Sequence, residues 1–241
     1  MSYVLDEQKQ QQILGLGRVG AVLESIYGAY TIGARSGAIG DPKGLAGEAV
    51  YLARTVTVLQ PDAAEAWGLL ALLLFCESRR DAQFDPGGRY VPLLEQDPAR
   101  WSRDSIAEAE AALWRAASLR SPGPLQLEAA IQSAHSQRAA TGRTPWSAVL
   151  ALYETLVAHH PSFGTHIGRA AALCASGDPA SALACLDALP VSAIASHQPY
   201  WATRAHVLGA RGRTALAAQA RMRAIGLTED PRVRDWLAAR A

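Results

Sequence analysis

The chain has 241 residues, 49% of them apolar and 19% charged, a composition that builds a sizeable core and excludes disorder. Its formal net charge of +1 excludes a global field that would draw the whole chain onto nucleic acid or an anionic membrane. Lys9 and Lys43 are the only lysines, so the basic residues are almost all arginine, which reads as coding bias and not as a binding signature.

Apolar spacing is helical nearly everywhere, and no stretch has sustained strand-like alternation. Taken in chain order, the spacing predicts helices near 8–30 and 43–59. The second carries Leu45, Ala49, Leu52, Val56 and Leu59 and is closed by Gln60-Pro61. Helix pairs are then expected at 64–78 with 103–119, 125–138 with 146–159, 163–176 with 179–189, and 199–211 with 213–226. A last helix over 231–240 would cap the stack with Trp236 and Leu237. Pro and Gly fall between these stripes, as in Ser121-Pro122-Gly123-Pro124, His160-Pro161 and Gly177-Asp178-Pro179, where they start and stop helices.

An internal repeat runs through the second half. His166, Ala170, Leu173, Gly177, Ala182 and Leu189 recur thirty-five residues on as Trp201, Ala205, Leu208, Gly212, Ala217 and Ala224. Trp67, Leu70, Ala71 and Leu74 repeat the first half again. This is the tetratricopeptide (TPR) pattern: a large residue opens the first helix, a small Ala admits the second, and a Gly turns the corner. The expected fold is therefore all-α, a TPR-like α-α superhelix forming one domain over 1–241. Residues 1–60 would be N-terminal helices, 61–228 the helix pairs, and 229–241 the cap. A long segment at about 79–101, rich in Pro and Gly, interrupts the first pair and is expected to be an ordered, functional or packed flap.

Candidate chemistry is sparse. Gly15-Leu16-Gly17-Arg18-Val19-Gly20 is a literal GxGxxG with Asp41 some twenty residues on. A dinucleotide site needs a strand before that string and a βαβ unit around it, and neither is predicted. His159 and His160 are adjacent, so they point about 100° apart on a helix and do not converge on one ion. Cys76, Cys174 and Cys185 lie in apolar helical runs, where Cys serves as a small hydrophobe, and this fits a reducing cytoplasm. His135 reads as a helix-end residue with its hydrogen bonds satisfied. No catalytic residue, cofactor or metal is assigned, the chain is not expected to be an enzyme, and its first residues, Met1 to Glu7, are not those of a signal peptide.

The candidate site is the flap, with Arg79, Arg80, Glu95, Gln96, Asp97 and Trp101. Two readings fit it. Either the two Arg pair with the flap carboxylates while Trp101 staples the flap to the helices, or these groups line a polar groove for a peptide or small ligand. From Pro199 onward eight Arg face only Glu229, Asp230 and Asp235, which is either a solvated face or a patch for an acidic partner.

With the flap in view, the chain resembles the C-terminal TPR-bearing extension of one group of bacterial extracytoplasmic-function (ECF) sigma factors. The matching residues are Arg18 to Leu23 with Ile26-Tyr27, the Leu59–Leu74 stretch, and Ser78-Arg79-Arg80-Asp81-Ala82 followed by Gly88. Leu94-Glu95-Gln96-Asp97, Arg100-Trp101 and Gly123-Pro124 with Gln126-Leu127 continue the match, as do Leu152-Tyr153-Glu154, Arg169-Ala170 and Leu186 to Leu189. Two departures stand out: Tyr30 to Arg35 replaces an Asn-Glu-Gly-Tyr string, and Gly168 stands where an Asn is usual. The sigma regions that grip polymerase and promoter have no counterpart in these residues. The resemblance implies a cytoplasmic protein-interaction module in transcription initiation. Its partner would be RNA polymerase or sigma regions, and it would make no direct nucleic-acid or membrane contact of its own. A stand-alone TPR-type scaffold with another partner, or a small-molecule sensor using the flap, are the alternatives.

Overall fold

In the computed structural model the protein is described over residues 7–36 and 44–240, with the backbone alone at 7–17, 35, 36, 191 and 193. Asp41 and the first six residues lie outside the described part. The secondary structure is helical: α1 (Glu7–Ser36), α2 (Leu45–Leu59), α3 (Ala64–Glu77), α4 (Arg103–Ser118), α5 (Pro124–Ser136), α6 (Arg138–Thr141), α7 (Trp146–His159), α8 (Phe163–Ala175), α9 (Pro179–Asp187), α10 (Val191–Ile194), α11 (Gln198–Ala210), α12 (Thr214–Gly226) and α13 (Pro231–Ala238). Among the described residues no helix is long and apolar enough to cross a membrane. The expected helices agree with these to within a few residues, except that α1 runs six residues further. The glycine string at 15–20 lies inside α1, so it has neither the strand nor the turn that a dinucleotide fingerprint requires.

The helices group into two compact units. The first comprises residues 1–77 and 103–130, and the second 78–102 and 131–241. The flap between α3 and α4 thus belongs to the second unit.

In the first unit α3 is the central helix. It is apolar on all sides, with Leu69, Leu73 and Phe75 fully buried, as a helix covered all round must be. α1, α2 and α4 pack on it, and Leu23, Ile26, Ala49 and Ala112 complete the core. The start of α5 is tied to α3 by a carboxylate: Glu65 accepts the backbone N–H of Leu125 at 2.9 Å and of Gln126 at 3.0 Å. These are orphan donors of a helix N-terminus, which an anion suits. Gly123 is what lets the carboxylate in, because a Cβ there would fall 2.4 Å from the Glu65 side chain. The Leu59–Leu74 stretch and the Gly-Pro-Gln-Leu segment, distant in sequence, are therefore two halves of one cap.

In the second unit the thirty-five-residue repeat is realised as two helix pairs, α8 with α9 and α11 with α12. The equivalent small residues Ala170, Ala205, Ala182 and Ala217 are all buried and set the close approach of the helices. Gly177 and Gly212 turn the two corners with φ of +93° and +69°, a conformation costly to a residue with a Cβ. The starts are fixed as firmly. Ser162 and Thr165 form a capping box on α8, and Asp178 and Asp230 cap α9 and α13 with Pro at the first position, each such cap contributing about 1 kcal/mol.

Candidate functional site

The flap is an ordered structure pinned at both ends. Its first part is a small hairpin: Val91 donates its backbone N–H to Gln83 at 2.8 Å and Asp85 donates to Arg89 at 2.9 Å. Gly88 turns the corner at φ +78°, and Phe84 bridges to Tyr90. Asp85 accepts the N–H of Gly87 and of Arg89 and the Arg89 guanidinium, which holds its carboxyl below the ordinary carboxylate range. Tyr90 then meets Trp236 of α13 edge to face, with ring centroids 5.9 Å apart, and burial pushes its phenol up.

The other end is built around Trp101, which is 4% exposed. Its indole N–H donates to Gln96 Oε1 at 3.2 Å, and Gln96 Nε2 donates to the Val91 carbonyl at 3.2 Å. The guanidiniums of Arg79 and Arg138 lie over the Trp101 ring at 6.0 and 5.1 Å, within cation–π range. Arg79 donates to Gln132 Oε1 at 2.5 Å.

Arg138, which sequence reasoning did not single out, is the principal clamp. It donates to the carbonyls of Leu93 at 3.1 Å and Leu94 at 2.9 Å, and to that of Gln96 as well. Three carbonyls on one planar fork is a geometry that Arg, and not Lys, supplies. The residue sits in the short helix α6, which has no periodicity of its own to betray it.

The candidate residues therefore come together in part. Arg79, Gln96 and Trp101 form one packed cluster. Asp97 caps the turn Pro98–Arg100 through the Ala99 N–H at 2.9 Å. Glu95 pairs with Arg240 beyond α13 at 2.5 Å, and Arg80, itself exposed, opens the turn Arg80–Ala82. Of the C-terminal arginines, Arg204 pairs with Asp187 and Arg232 with Asp230, while Arg223 covers the Trp201 ring at 4.5 Å. Much of that basic stretch is thus spent inside the unit.

Behind the flap the second unit forms a half-open cavity of about 510 Å³, a size typical of ligand sites. Flap residues Leu93 and Leu94 close one side, Trp146 and Tyr153 of α7 another, and Trp236 of α13 a third. The α8 wall is Gly168, Ala171, Ala172 and Ala175, so small residues make the room. Gly168 is required as such, since a Cβ there would lie 2.5 Å from the Tyr153 ring.

His135 also lines the cavity and meets Trp146 edge to face at 5.5 Å. The expectation that its hydrogen bonds are satisfied is corrected, because its buried Nδ1 has no partner, nor has the indole N–H of Trp236. Burial first, then the positive charges of Arg79 and Arg138, push the His135 imidazole down to about 4, so it is neutral near pH 7. Among the described residues no group of three His, Cys, Asp or Glu is placed to hold a metal ion. Cys76, Cys174 and Cys185 are not joined in disulfides, and burial pushes the thiols of Cys174 and Cys185 up, which leaves them poor nucleophiles.

Residues 18–117 match a family of unknown function, DUF6596. That segment covers most of α1, then α2, α3, the flap and nearly all of α4. An uncharacterized protein of Rhizobium meliloti (strain 1021) is 36% identical over 212 residues, covering 87% of this chain and 50% of the relative. The chain thus spans about half the length of that protein. No solved structure matches.

Proposed function

We propose that the chain is a TPR-like protein-interaction and regulatory module, similar to the C-terminal extension of ECF sigma factors, that acts in transcription initiation through protein contacts. The observation that carries this reading is the flap. The residues on which the resemblance rests, Arg79, Gln96, Asp97 and Trp101, hold it as a fixed shape over the second unit, and a stack of helix pairs needs no such element for its own stability. The repeated α8–α9 and α11–α12 pairs support the TPR-like description, and the three cysteines, not joined in disulfides, fit a reducing cytoplasm.

A surface for a protein partner is available in the first unit. Leu45, Leu52 and Leu59 form one exposed stripe on α2, and Tyr51 and Val58 form the next. This helix lies within the family-matched segment, and contiguous apolar exposure of that kind marks contact sites. The intended occupant is a helix of the sigma regions or of core RNA polymerase, laid apolar face to apolar face.

The test is retention of core RNA polymerase and its sigma regions on the immobilised chain. Retention that falls when Tyr51 and Leu59 are replaced by Glu is the expected result. Equal retention by the wild type and by a column without protein would remove the proposal.

A second reading, a small-molecule sensor, is favoured by one observation. The flap closes a cavity of about 510 Å³ with two buried polar atoms on its lining residues left unpartnered, and native interiors rarely keep either without use.

A further inference from the structure

The ligand class of the cavity follows from the charges in its wall. Two guanidiniums line it, Arg221 of α12 and Arg240. Arg240 is already occupied, paired with Glu95 at 2.5 Å and lying over the Trp236 ring at 4.1 Å. Glu95 is in turn the carboxylate among the described lining residues, and it is spent on that pair. Arg221 is half-buried and meets no carboxylate among the ion pairs of the second unit. Beside it, His206 of α11 brings a further polar group to the wall. The remaining polar groups of the lining are neutral, the His135 imidazole, the Trp236 indole N–H and the Tyr153 phenol, and the rest is hydrocarbon, aromatic ring or glycine.

We infer that the cavity takes a small amphipathic acid, with one carboxylate on the Arg221 guanidinium and an aliphatic or aromatic body against Trp146, Val149, Leu93 and the alanines of α8. Other occupants fit less well. A cation would enter beside two guanidiniums with the wall carboxylate already neutralised. A neutral apolar molecule would leave Arg221 without the carboxylate that a guanidinium binds in a two-pronged fashion. A phosphate asks for several donors at once, whereas one planar guanidinium matches one carboxylate in a two-pronged fashion. A peptide would need backbone partners, and the helices that form most of the wall spend their N–H and C=O groups internally.

This inference rests on the sensing reading above and on nothing in the transcription reading. Isothermal titration calorimetry of the intact chain decides it, with decanoate and 4-phenylbutyrate as probes and decanol and 4-phenylbutanamide as their uncharged counterparts. Both acids are expected to bind saturably, about tenfold or more tighter than the neutral partners. Arg221→Gln is expected to abolish that preference while leaving the neutral compounds unchanged. Ala171→Phe, and separately Ala175→Phe, fill the cavity from the same helix and are expected to abolish binding of all four in whichever variant melts as the wild type does. Acids and neutral partners binding alike to the wild type would overturn the acid assignment and leave the sensing reading standing. No binding by any of the four would remove both. Undiminished preference for acids in Arg221→Gln would overturn the role of that residue.

Discussion

At the scale of single residues, the second unit is governed by three residues whose work is not evident from residue type alone. Arg138 ties three flap carbonyls with one fork. Arg138→Ala is expected to cost about 1.5–3 kcal/mol, as for hydrogen bonds to a charged group, and to speed amide exchange over residues 91–97. Arg138→Lys should recover little of either, and full recovery by Lys would show that charge alone suffices. His135 sets a pH dependence. Its folded value lies near 4, against an ordinary 6.5, so between those values the unfolded chain binds the proton and the folded chain does not. Stability is therefore expected to fall as pH drops through that window, by up to about 3 kcal/mol, with no contribution above it. Denaturant titrations of the wild type and of His135→Gln check this, and the variant's curve should be flatter from pH 6.5 to 4. Gly168 faces the Tyr153 ring. Gly168→Asn is expected to destabilise by about 1–3 kcal/mol through overpacking, and Tyr153→Ala added to it should return part of that loss.

At the scale of elements, the register of the repeat rests on small residues at helix contacts. Ala71, Ala170, Ala205 and Ala217 are each at most 4% exposed, and enlarging any one to Leu is expected to cost about 1–3 kcal/mol. Unchanged melting of all four variants would show that the helices approach elsewhere. The Glu65 cap gives a separate check. Glu65→Ala removes an acceptor from two orphan N–H groups of α5 and should cost about 0.5–2 kcal/mol. Most elements were legible in the sequence, because their apolar spacing and their Pro, Gly and Asp punctuation agree. α6 and α10 were not, since four residues are too short to display a period. Nor was the extension of α1 beyond residue 30, where a Gly-containing polar stretch resembles a helix end.

At the scale of the whole molecule, the all-α class could be read directly, and the division into two units could not. Nothing in the local pattern of residues 78–102 says that this segment joins helices far downstream. That assignment comes from long-range contacts such as Arg138 on Leu93 and Trp236 on Tyr90. For the same reason the flap can be read from the sequence as a distinct segment while its clamp and its cavity cannot. Trp101 and Gln96 lie in the segment itself, whereas Arg138, Trp146, Arg221 and Trp236 come from four other elements.

The central claim is that this chain works in transcription initiation and that the flap takes part. It is tested most directly by transcription from a cognate promoter with the chain joined to its sigma regions, comparing wild type with Arg80→Ala and Trp101→Ala. Arg80 is exposed, so its loss should cost at most about 1 kcal/mol, while truncating the buried Trp101 should cost about 3–5 kcal/mol. The account predicts reduced transcription from Arg80→Ala, which remains folded, and from Trp101→Ala wherever that variant remains folded. Full transcription from both folded variants would contradict it.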